Sequence, residues 1–308
     1  MEFTLNLHDT PFDLSIILES GQVFRWVYKD GWWYGVIDSG IAKIRQEGFS
    51  LRCVSSTDEI NQEYIRTYFR LDEDFEGVLS AIMKDNVINE AIQRFYGLRL
   101  IRQPTWECLV SFVIATNSNI PRIRGMISNI CKRYGSTVYF EGLEYSLFPT
   151  PEALARATVG DLEGCGLGYR AKYAKRLAEA VYNERVDLSE LLIGNYEQAR
   201  ETLIRKVLGR KDLLGIGPKA ADCVLLFSCD KDEAFPIDVW ITRAVSKYYK
   251  SIVGRELTRK LKLRLSGRQN LAPGTYYALS SKLRSYFGTY AGYAQQYLFL
   301  LARTTLTD

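Results

Sequence analysis

The chain has 308 residues, with 40 Lys and Arg against 36 Asp and Glu; the net charge of +4 permits nucleic-acid binding but equally suits an ordinary protein surface. Its six cysteines form no CxxC pair, so neither a disulfide framework nor a zinc motif can be read from them. A single histidine, His8, excludes a histidine-based metal site and a Ser-His-Asp triad.

The N-terminal segment MEFTLNLHDTPFDL is acidic and contains no long apolar run. It therefore lacks the pattern of a signal peptide or of a transmembrane span. We expect a soluble intracellular protein, in the cytoplasm and nucleoid or in the nucleus, that does not bind membranes.

Short alternating segments fill the chain up to about Ser55 and predict strands at 22–28, 32–37, 41–45 and 49–54. The sequence Lys29-Asp30-Gly31 is typical of a hairpin turn, which predicts an antiparallel sheet. The segments 58–71 and 74–96 have helical spacing and are expected to cover one face of that sheet.

From Thr105 onward the apolar spacing is almost entirely helical, with helices predicted at 105–115, 119–134, 169–185, 218–229, 238–249 and 289–303. The step Arg102-Gln103-Pro104 is the best boundary. The length is sufficient for two or three modules. The predicted fold class is α+β: an N-terminal antiparallel sheet domain with helices (1–103), then an all-helical domain (104–308).

Two polar breaks interrupt the helical region. The first, residues 115–122, contains Asn117 and Arg122, and its Asn and Ser residues make a helix cap and turn the ordinary interpretation. The second, residues 166–170, is a glycine turn that brings Tyr169 and Arg170 to a helix start, where a surface Tyr-Arg pair is the ordinary interpretation.

The segment 213–223 is the most informative in the chain. Gly215 and Gly217 permit a tight turn, and Pro218 suits the first turn of a helix. The free amides of that helix start can bind a phosphate. Lys219 lies beside the positive end of the helix dipole, which disfavours the ammonium form, and a neutral lysine is a nucleophile that can form a Schiff base.

Two further patterns are chemically suggestive. Asp238 follows Pro236 and precedes a helix, so it is a natural N-cap that could also stabilise positive charge near Lys219. Asp222 is the rival carboxylate, with a supporting role in its helix as the preferred interpretation. Gln295 and Phe299 are four residues apart on one helix face, an arrangement that suits a base pocket as well as a core contact.

The segment Leu214-Gly215-Ile216-Gly217, the lysine two residues later and Pro236-Ile237-Asp238 resemble the helix-hairpin-helix-Gly/Pro-Asp signature of DNA base-excision glycosylases. The resemblance covers the chain from about Ser20 to Phe299 and places the helix-hairpin-helix near 205–229. It implies that Lys219 is the nucleophile of a bifunctional glycosylase and AP lyase, that Asp238 stabilises the developing oxocarbenium charge, and that the hairpin with Gly215, Gly217 and Lys219 binds phosphate.

Within that superfamily the chain is similar to the 8-oxoguanine glycosylase branch. The resemblance implies that Asn117, Arg122, Tyr169 and Arg170 fill the space of the extruded base and recognise the cytosine opposite the lesion. It also implies a base pocket in which a glycine carbonyl accepts the N7 hydrogen of 8-oxoguanine, the base lies between two side chains and an amide reads its edge. The corresponding residues are Gly21, Cys223, Phe299 and Gln295.

The resemblance has one departure and several implications for partners. Trp240 stands where eukaryotic members carry a histidine that helps to hold a phosphate. No cysteine follows Cys229, so the iron–sulfur cluster of some relatives is not expected. We expect a monomer acting on double-stranded DNA containing 8-oxoguanine, with no catalytic metal and no cofactor; in relatives the hairpin carbonyls hold a structural cation when DNA is bound.

Two alternatives stay open. A glycosylase of the same superfamily for another damaged base would keep Lys219 and Asp238 but would not need Gly21, Asn117 and Arg122 together. A non-catalytic DNA-binding module would keep only the hairpin.

Overall fold

The computed structural model describes residues 1–8, 10–208, 217–267 and 271–306. Its N-terminal part contains the predicted antiparallel sheet, with five strands in the order β1-β5-β4-β3-β2. The strands are β1 (Glu2–Asn6), β2 (Trp26–Lys29), β3 (Trp32–Ile37), β4 (Gly40–Glu47) and β5 (Ser50–Ser55). The edge strand β1, which pairs with β5, was not among the strands predicted from the sequence.

The same part of the chain contains four helices: α1 (Leu14–Glu19), α2 (Gln62–Tyr68), α3 (Phe75–Ile82) and α4 (Asn86–Arg94). Helix α1 was not predicted. The single helix expected over 74–96 is wrong, since the chain breaks into α3 and α4. The Asp85 carboxylate accepts hydrogen bonds from the amides of Val87 and Ile88, and this cap starts a new helix.

The rest of the chain is mainly helical, as predicted. Its helices are α5 (Thr105–Ile114), α6 (Ile120–Tyr134), α7 (Pro151–Arg156), α8 (Val159–Gly164), α9 (Ala171–Tyr182), α10 (Tyr196–Thr202), α11 (Pro218–Ser228), α12 (Val239–Tyr248), α13 (Lys250–Val253), α14 (Arg255–Leu265), α15 (Pro273–Phe287) and α16 (Ala291–Thr305).

Short elements join these helices. They are the 3-10 turns Gly168–Arg170 and Leu188–Leu191, the π-helical segment Leu203–Leu208, and a hairpin of β6 (Thr137–Phe140) and β7 (Leu143–Ser146). The hairpin was not expected inside the helical region.

Two hydrophobic cores hold the molecule together. The smaller lies between the sheet, α1 and α2, and the larger contains the apolar faces of α5 to α16 together with those of α3 and α4. Helices α3 and α4 therefore pack with the C-terminal helices although they precede residue 103. The division of the chain at 103/104 stays a prediction.

Helix α16 approaches α11 closely because Gly292 has no side chain. A Cβ atom there would lie 2.1 Å from the Leu226 Cδ1 atom and 2.8 Å from the Asp232 carbonyl oxygen. The Gly292 amide donates to that carbonyl at 2.6 Å. This contact brings the two helices that carry Lys219 and Phe299 against one another. Among the described residues, no helix has both the length and the apolar character to cross a membrane.

Candidate active site

Helix α11 begins as the sequence predicts. Gly217 is its N-cap and Pro218 occupies its first turn. Among the described residues, none apart from its chain neighbours lies within 4 Å of a Cβ atom built on Gly217. The first three residues of the predicted hairpin 214–217, Gly215 among them, lie outside the described residues, and a phosphate site there stays a prediction.

The Lys219 side chain extends from the first turn of α11 and is partly buried. Its Nζ atom lies 5.0 Å from the centre of the Phe112 ring on α5. The Cys223 thiol is a neighbour of this amine one turn further along α11. Burial raises the pKa of Cys223 to about 11, with Lys219 acting against that rise. The thiol is therefore a neutral neighbour of the amine at physiological pH.

Asp238 is the N-cap of α12, and its Oδ1 atom accepts the Ile241 amide at 2.8 Å. Burial raises the pKa of this carboxyl, whereas that hydrogen bond and the charges of Lys219 and Arg264 lower it. The Asp238 carboxylate and the Lys219 amine therefore act on one another electrostatically, as the sequence pattern suggested.

Arg264 and Thr242 support Asp238, and neither was predicted. The Arg264 Nη1 atom donates to Thr242 Oγ1 at 2.8 Å, and that hydroxyl donates to the Asp238 carbonyl at 2.5 Å. The sequence places Arg264 in a strongly basic helix, where a solvated arginine is the ordinary expectation. Only the packing of α14 on α12 brings it to the site.

Asp222, the rival carboxylate, is fully occupied by structural contacts. It is 0 % exposed. Its Oδ1 atom accepts from the Tyr196 hydroxyl at 2.9 Å and from Arg200 Nε at 2.8 Å, and its Oδ2 atom accepts from the Tyr276 hydroxyl at 2.6 Å. This carboxylate joins α10, α11 and α15 and is not free to face a substrate.

The turn at Gly21 lies against α16 and the start of α6. Gly21 has φ +87°, in the region that glycine adopts most readily. A Cβ atom there would lie 3.6 Å from Phe299 Cε1 and 3.2 Å from Ile120 Cδ1. The structure thus brings Gly21 and Phe299 together, while Cys223 lies beside Lys219 on α11.

Two glutamines that the sequence did not single out hold this turn. Gln296 Nε2 donates to the Ser20 carbonyl at 3.0 Å. Gln22 is 0 % exposed, and its side chain donates to the Arg99 carbonyl and accepts the Ile101 amide. The conformation of the Gly21 turn is therefore set by buried amide side chains on both sides.

Gln295 presents a buried acceptor without a donor. The residue is only 4 % exposed, and its Oε1 atom has no hydrogen-bond partner among the described residues. Buried carbonyl oxygens are normally paired, so an orphaned one in a binding region calls for a ligand that donates a hydrogen bond. The placement suits the predicted role of Gln295 in reading a base edge.

The two polar breaks meet in space. Asn117 adopts φ +50°, and its Nδ2 atom lies 3.4 Å from the Tyr169 hydroxyl. Tyr169 is 49 % exposed, and Arg122 is also exposed at the start of α6. An amide, an aromatic ring and a guanidinium thus lie on neighbouring parts of one surface.

Arg170 is buried against the 115–122 loop. The residue is 3 % exposed and donates to the carbonyls of Thr116, Asn117 and Leu167. In this structure it holds the 115–122 loop in place, and contact with a DNA base would require release of those carbonyls. Base reading by Arg170 stays a prediction.

Trp240, the departure from the family pattern, lies in the first turn of α12. The Arg243 guanidinium carbon is 4.8 Å from the centre of its ring. The tryptophan thus stacks with a cation where a histidine would present a polar nitrogen. Among residues 1–8, 10–208, 217–267 and 271–306, no cluster of three His, Cys, Asp or Glu is placed to hold a metal.

The comparisons with known proteins cover both parts of the chain. The family model for the N-terminal domain of 8-oxoguanine DNA glycosylase matches residues 4–109. The model for HhH-GPD superfamily base excision DNA repair proteins matches residues 110–265.

Individual relatives give the same picture. An N-glycosylase/DNA lyase of Saccharomyces cerevisiae is 29% identical over 336 residues, covering 96% of this chain and 84% of that protein. A solved structure described as MBOgg1 in complex with a low-affinity DNA ligand is 30% identical, with a TM-score of 0.83 over 99% of this chain and 96% of its own. An 8-oxoguanine glycosylase/lyase of Clostridium acetobutylicum, bound to DNA with cytosine opposite 8-oxoguanine, is 29% identical, with a TM-score of 0.79 over 96% of this chain and 93% of its own.

Proposed function

The chain belongs to the HhH-GPD superfamily of base excision DNA repair proteins and carries the N-terminal domain of 8-oxoguanine DNA glycosylases, and from this premise we propose how its residues excise 8-oxoguanine and cleave the strand. The activity is that of an N-glycosylase/DNA lyase. The observation that carries the residue assignment is the position of Lys219 at the start of α11, partly buried beside Phe112 and Cys223 and within electrostatic range of Asp238.

Excision begins with the extruded lesion in the pocket. The Lys219 amine, in its neutral form, forms a bond to C1′ while the C1′–N9 bond breaks. The departing base takes the bonding electrons and the proton that the attacking nitrogen loses. The Asp238 carboxylate stabilises the positive charge that develops on the sugar. A carboxylate in partly buried surroundings does this more strongly than one in water, because the screening is weaker.

Strand cleavage follows from the covalent intermediate. Ring opening turns the C1′–amine adduct into a Schiff base, which makes the C2′ proton acidic. Loss of that proton and departure of the 3′ phosphate complete a β-elimination. The amine and the carboxylate supply the nucleophile and the charge stabilisation, so this route is written without a cofactor. A structural cation on the hairpin carbonyls stays a prediction.

We assign lesion recognition to the residues around the Gly21 turn. Gly21 offers a carbonyl to the N7 hydrogen that 8-oxoguanine has and guanine lacks, and Phe299 stacks on the base. The orphaned Gln295 Oε1 accepts from the base edge. Guanine would bring its N7 acceptor against the glycine carbonyl, and a mismatch of that kind is a strong basis for rejection.

We assign the preference for cytosine opposite the lesion to Asn117, Arg122 and Tyr169. Their exposure on neighbouring parts of one surface, and the 3.4 Å contact between Asn117 and Tyr169, support this assignment. Arg170 acts here as a positioning residue, because its guanidinium bonds the loop carbonyls.

Borohydride trapping on duplexes with 8-oxoguanine opposite each of the four bases tests the proposal. We expect a covalent adduct that is strongest opposite cytosine, absent in Lys219→Gln and unchanged in Lys84→Gln, an exposed lysine between α3 and α4. An adduct formed only with an oxidised pyrimidine would overturn the substrate assignment. An adduct that persists in Lys219→Gln would overturn the nucleophile.

A further inference from the structure

Arg303 lies at the entrance to the proposed base pocket. It follows Phe299 by four residues on α16, so the two side chains share a helix face. Its Nη1 atom would be 3.6 Å from a Cβ atom on Gly21, and its guanidinium carbon is 5.9 Å from the centre of the Phe299 ring. The guanidinium thus borders two of the groups assigned to lesion recognition.

The hydrogen bonding of this guanidinium is incomplete. Arginine carries five N–H donors. Among the described residues, the one hydrogen bond found for Arg303 is a long contact from Nη1 to the Glu19 carbonyl at 3.4 Å, and no carboxylate lies within ion-pair distance. The side chain is half-buried, and this burial lowers its pKa. Because few hydrogen bonds offset the partial desolvation of this guanidinium, the site favours the binding of an anion.

The neighbouring charges strengthen this expectation. Arg124, which is exposed on α6, acts on Arg303 as a like charge, and Glu19 acts as the opposing one. Helix α6 is the element that begins with the proposed cytosine-reading Arg122. Three positive charges, those of Arg122, Arg124 and Arg303, therefore lie on α6 and α16, and Glu19 offsets them in part.

We propose that Arg303 binds a phosphodiester oxygen of the damaged strand next to the extruded nucleotide. This inference rests on the proposed function, which places DNA at this entrance. A phosphate suits the site because the planar guanidinium matches two phosphate oxygens, and because an arginine at the entrance of the pocket can meet the backbone while Gln295 meets the base.

Binding measurements on two duplexes test the proposal. One carries a tetrahydrofuran abasic analogue, which has phosphates but no base and cannot form the Schiff base. The other carries 8-oxoguanine opposite cytosine and is used in a Lys219→Gln background, so that the base is retained. Arg303→Gln is compared with Arg303→Lys and with Arg156→Gln, an exposed arginine on α7 that pairs with Glu152.

We expect Arg303→Gln to weaken binding to both duplexes about tenfold and to reduce the salt-dependence slope by about one. Arg303→Lys should keep the slope and recover part of the affinity, since it retains the charge but loses the two-point geometry. Arg156→Gln should bind as wild type.

Two results would overturn the proposal. Unchanged affinity of Arg303→Gln for the tetrahydrofuran duplex, with weaker binding to 8-oxoguanine, would make Arg303 a base-reading residue. Unchanged affinity for both duplexes would make it structural. Failure of the proposed function is recognised separately, because the wild-type protein would then give no borohydride adduct with 8-oxoguanine whatever the behaviour of Arg303.

Discussion

Replacing Asp238 by asparagine should abolish most catalysis without unfolding the protein. The Asp238 side chain caps α12 by accepting the Ile241 amide at 2.8 Å, and an asparagine oxygen can accept the same hydrogen bond. Asparagine and aspartate are about equally good N-caps, so the free energy of unfolding should change by less than about 1 kcal/mol. The substitution removes, in contrast, the negative charge that we assign to stabilising the positive charge developing on the sugar.

The catalytic effect of this change should be large. Removing one preorganised electrostatic partner of a transition state typically lowers the rate about 100-fold to 1,000-fold. Single-turnover excision of 8-oxoguanine should therefore fall by at least about 100-fold in Asp238→Asn. Excision at the wild-type rate by a folded Asp238→Asn protein would refute the role of this carboxylate in charge stabilisation.

Asp222→Asn is the matched control. It should destabilise the fold and leave the excision rate of the folded protein unchanged. Its carboxylate is the counter-charge of Arg200, whose side chain is only 12% exposed, and it also accepts the hydroxyls of Tyr196 and Tyr276. The tyrosine hydroxyls can rotate to suit an amide, but the arginine loses its partner. Breaking a buried ion pair costs about 3 kcal/mol or more. Denaturant unfolding should show that loss in Asp222→Asn, while the folded fraction keeps its excision rate.

Three further substitutions test the surrounding assignments. Arg264→Gln removes a charge that lowers the pKa of Asp238, so the acidic limb of the single-turnover pH profile should move to higher pH. If the limb does not move, Arg264 does not influence the catalytic titration of Asp238. Gln295→Leu removes a buried oxygen without a partner, so the free energy of unfolding should rise by about 1 kcal/mol while affinity for 8-oxoguanine falls; equal affinity would exclude Gln295 from the pocket. Arg170→Gln should release the Thr116 and Asn117 carbonyls, lower the free energy of unfolding by about 2 kcal/mol and reduce the preference for cytosine over adenine opposite the lesion. Wild-type discrimination by a destabilised Arg170→Gln would leave it a purely structural residue.

The regular parts of the fold were predictable because their signals are local. Apolar spacing and turn residues identified the sheet hairpins and α5, α6, α9, α11, α12 and α16 within a few residues. The break between α3 and α4 was not recognised, because the apolar pattern continues through it and the Asp85 cap that ends the continuity is a single residue. Strand β1 was also missed, since its identity as a strand depends on pairing with β5, which lies about fifty residues away in the sequence.

In the candidate site too, the residues in short-range patterns were predictable and those placed by helix packing were not. The glycine turn before α11, the helix-start lysine and the cap at Asp238 are short-range patterns, and the charge of Lys219 lowers the pKa of Asp238 in the structure. Arg264 and Gln296 reach the site only through helix packing, and nothing in their own surroundings in the sequence distinguishes them from other polar residues. Arg170 is the clearest case: the sequence indicates an exposed guanidinium, but the loop ahead of α6 buries it.

Helix α16 shows how binding and support are divided in this molecule. Gly292 and Gln296 are four residues apart and hold the helix, the first against α11 and the second against the Gly21 turn. Gln295, Phe299 and Arg303 follow one another at the same interval on the adjoining face, and two of them carry polar groups that the protein itself leaves poorly paired. The free protein already bears the free-energy cost of burying these poorly paired groups. A nucleotide that supplies both a hydrogen-bond donor and a phosphate would therefore add its interactions with them to the binding free energy without that cost. On the proposed assignments, Gln295 and Arg303 supply interactions that any extruded guanine nucleotide could make, so we expect rejection of the normal base to depend on the Gly21 carbonyl, which would face the N7 acceptor of guanine.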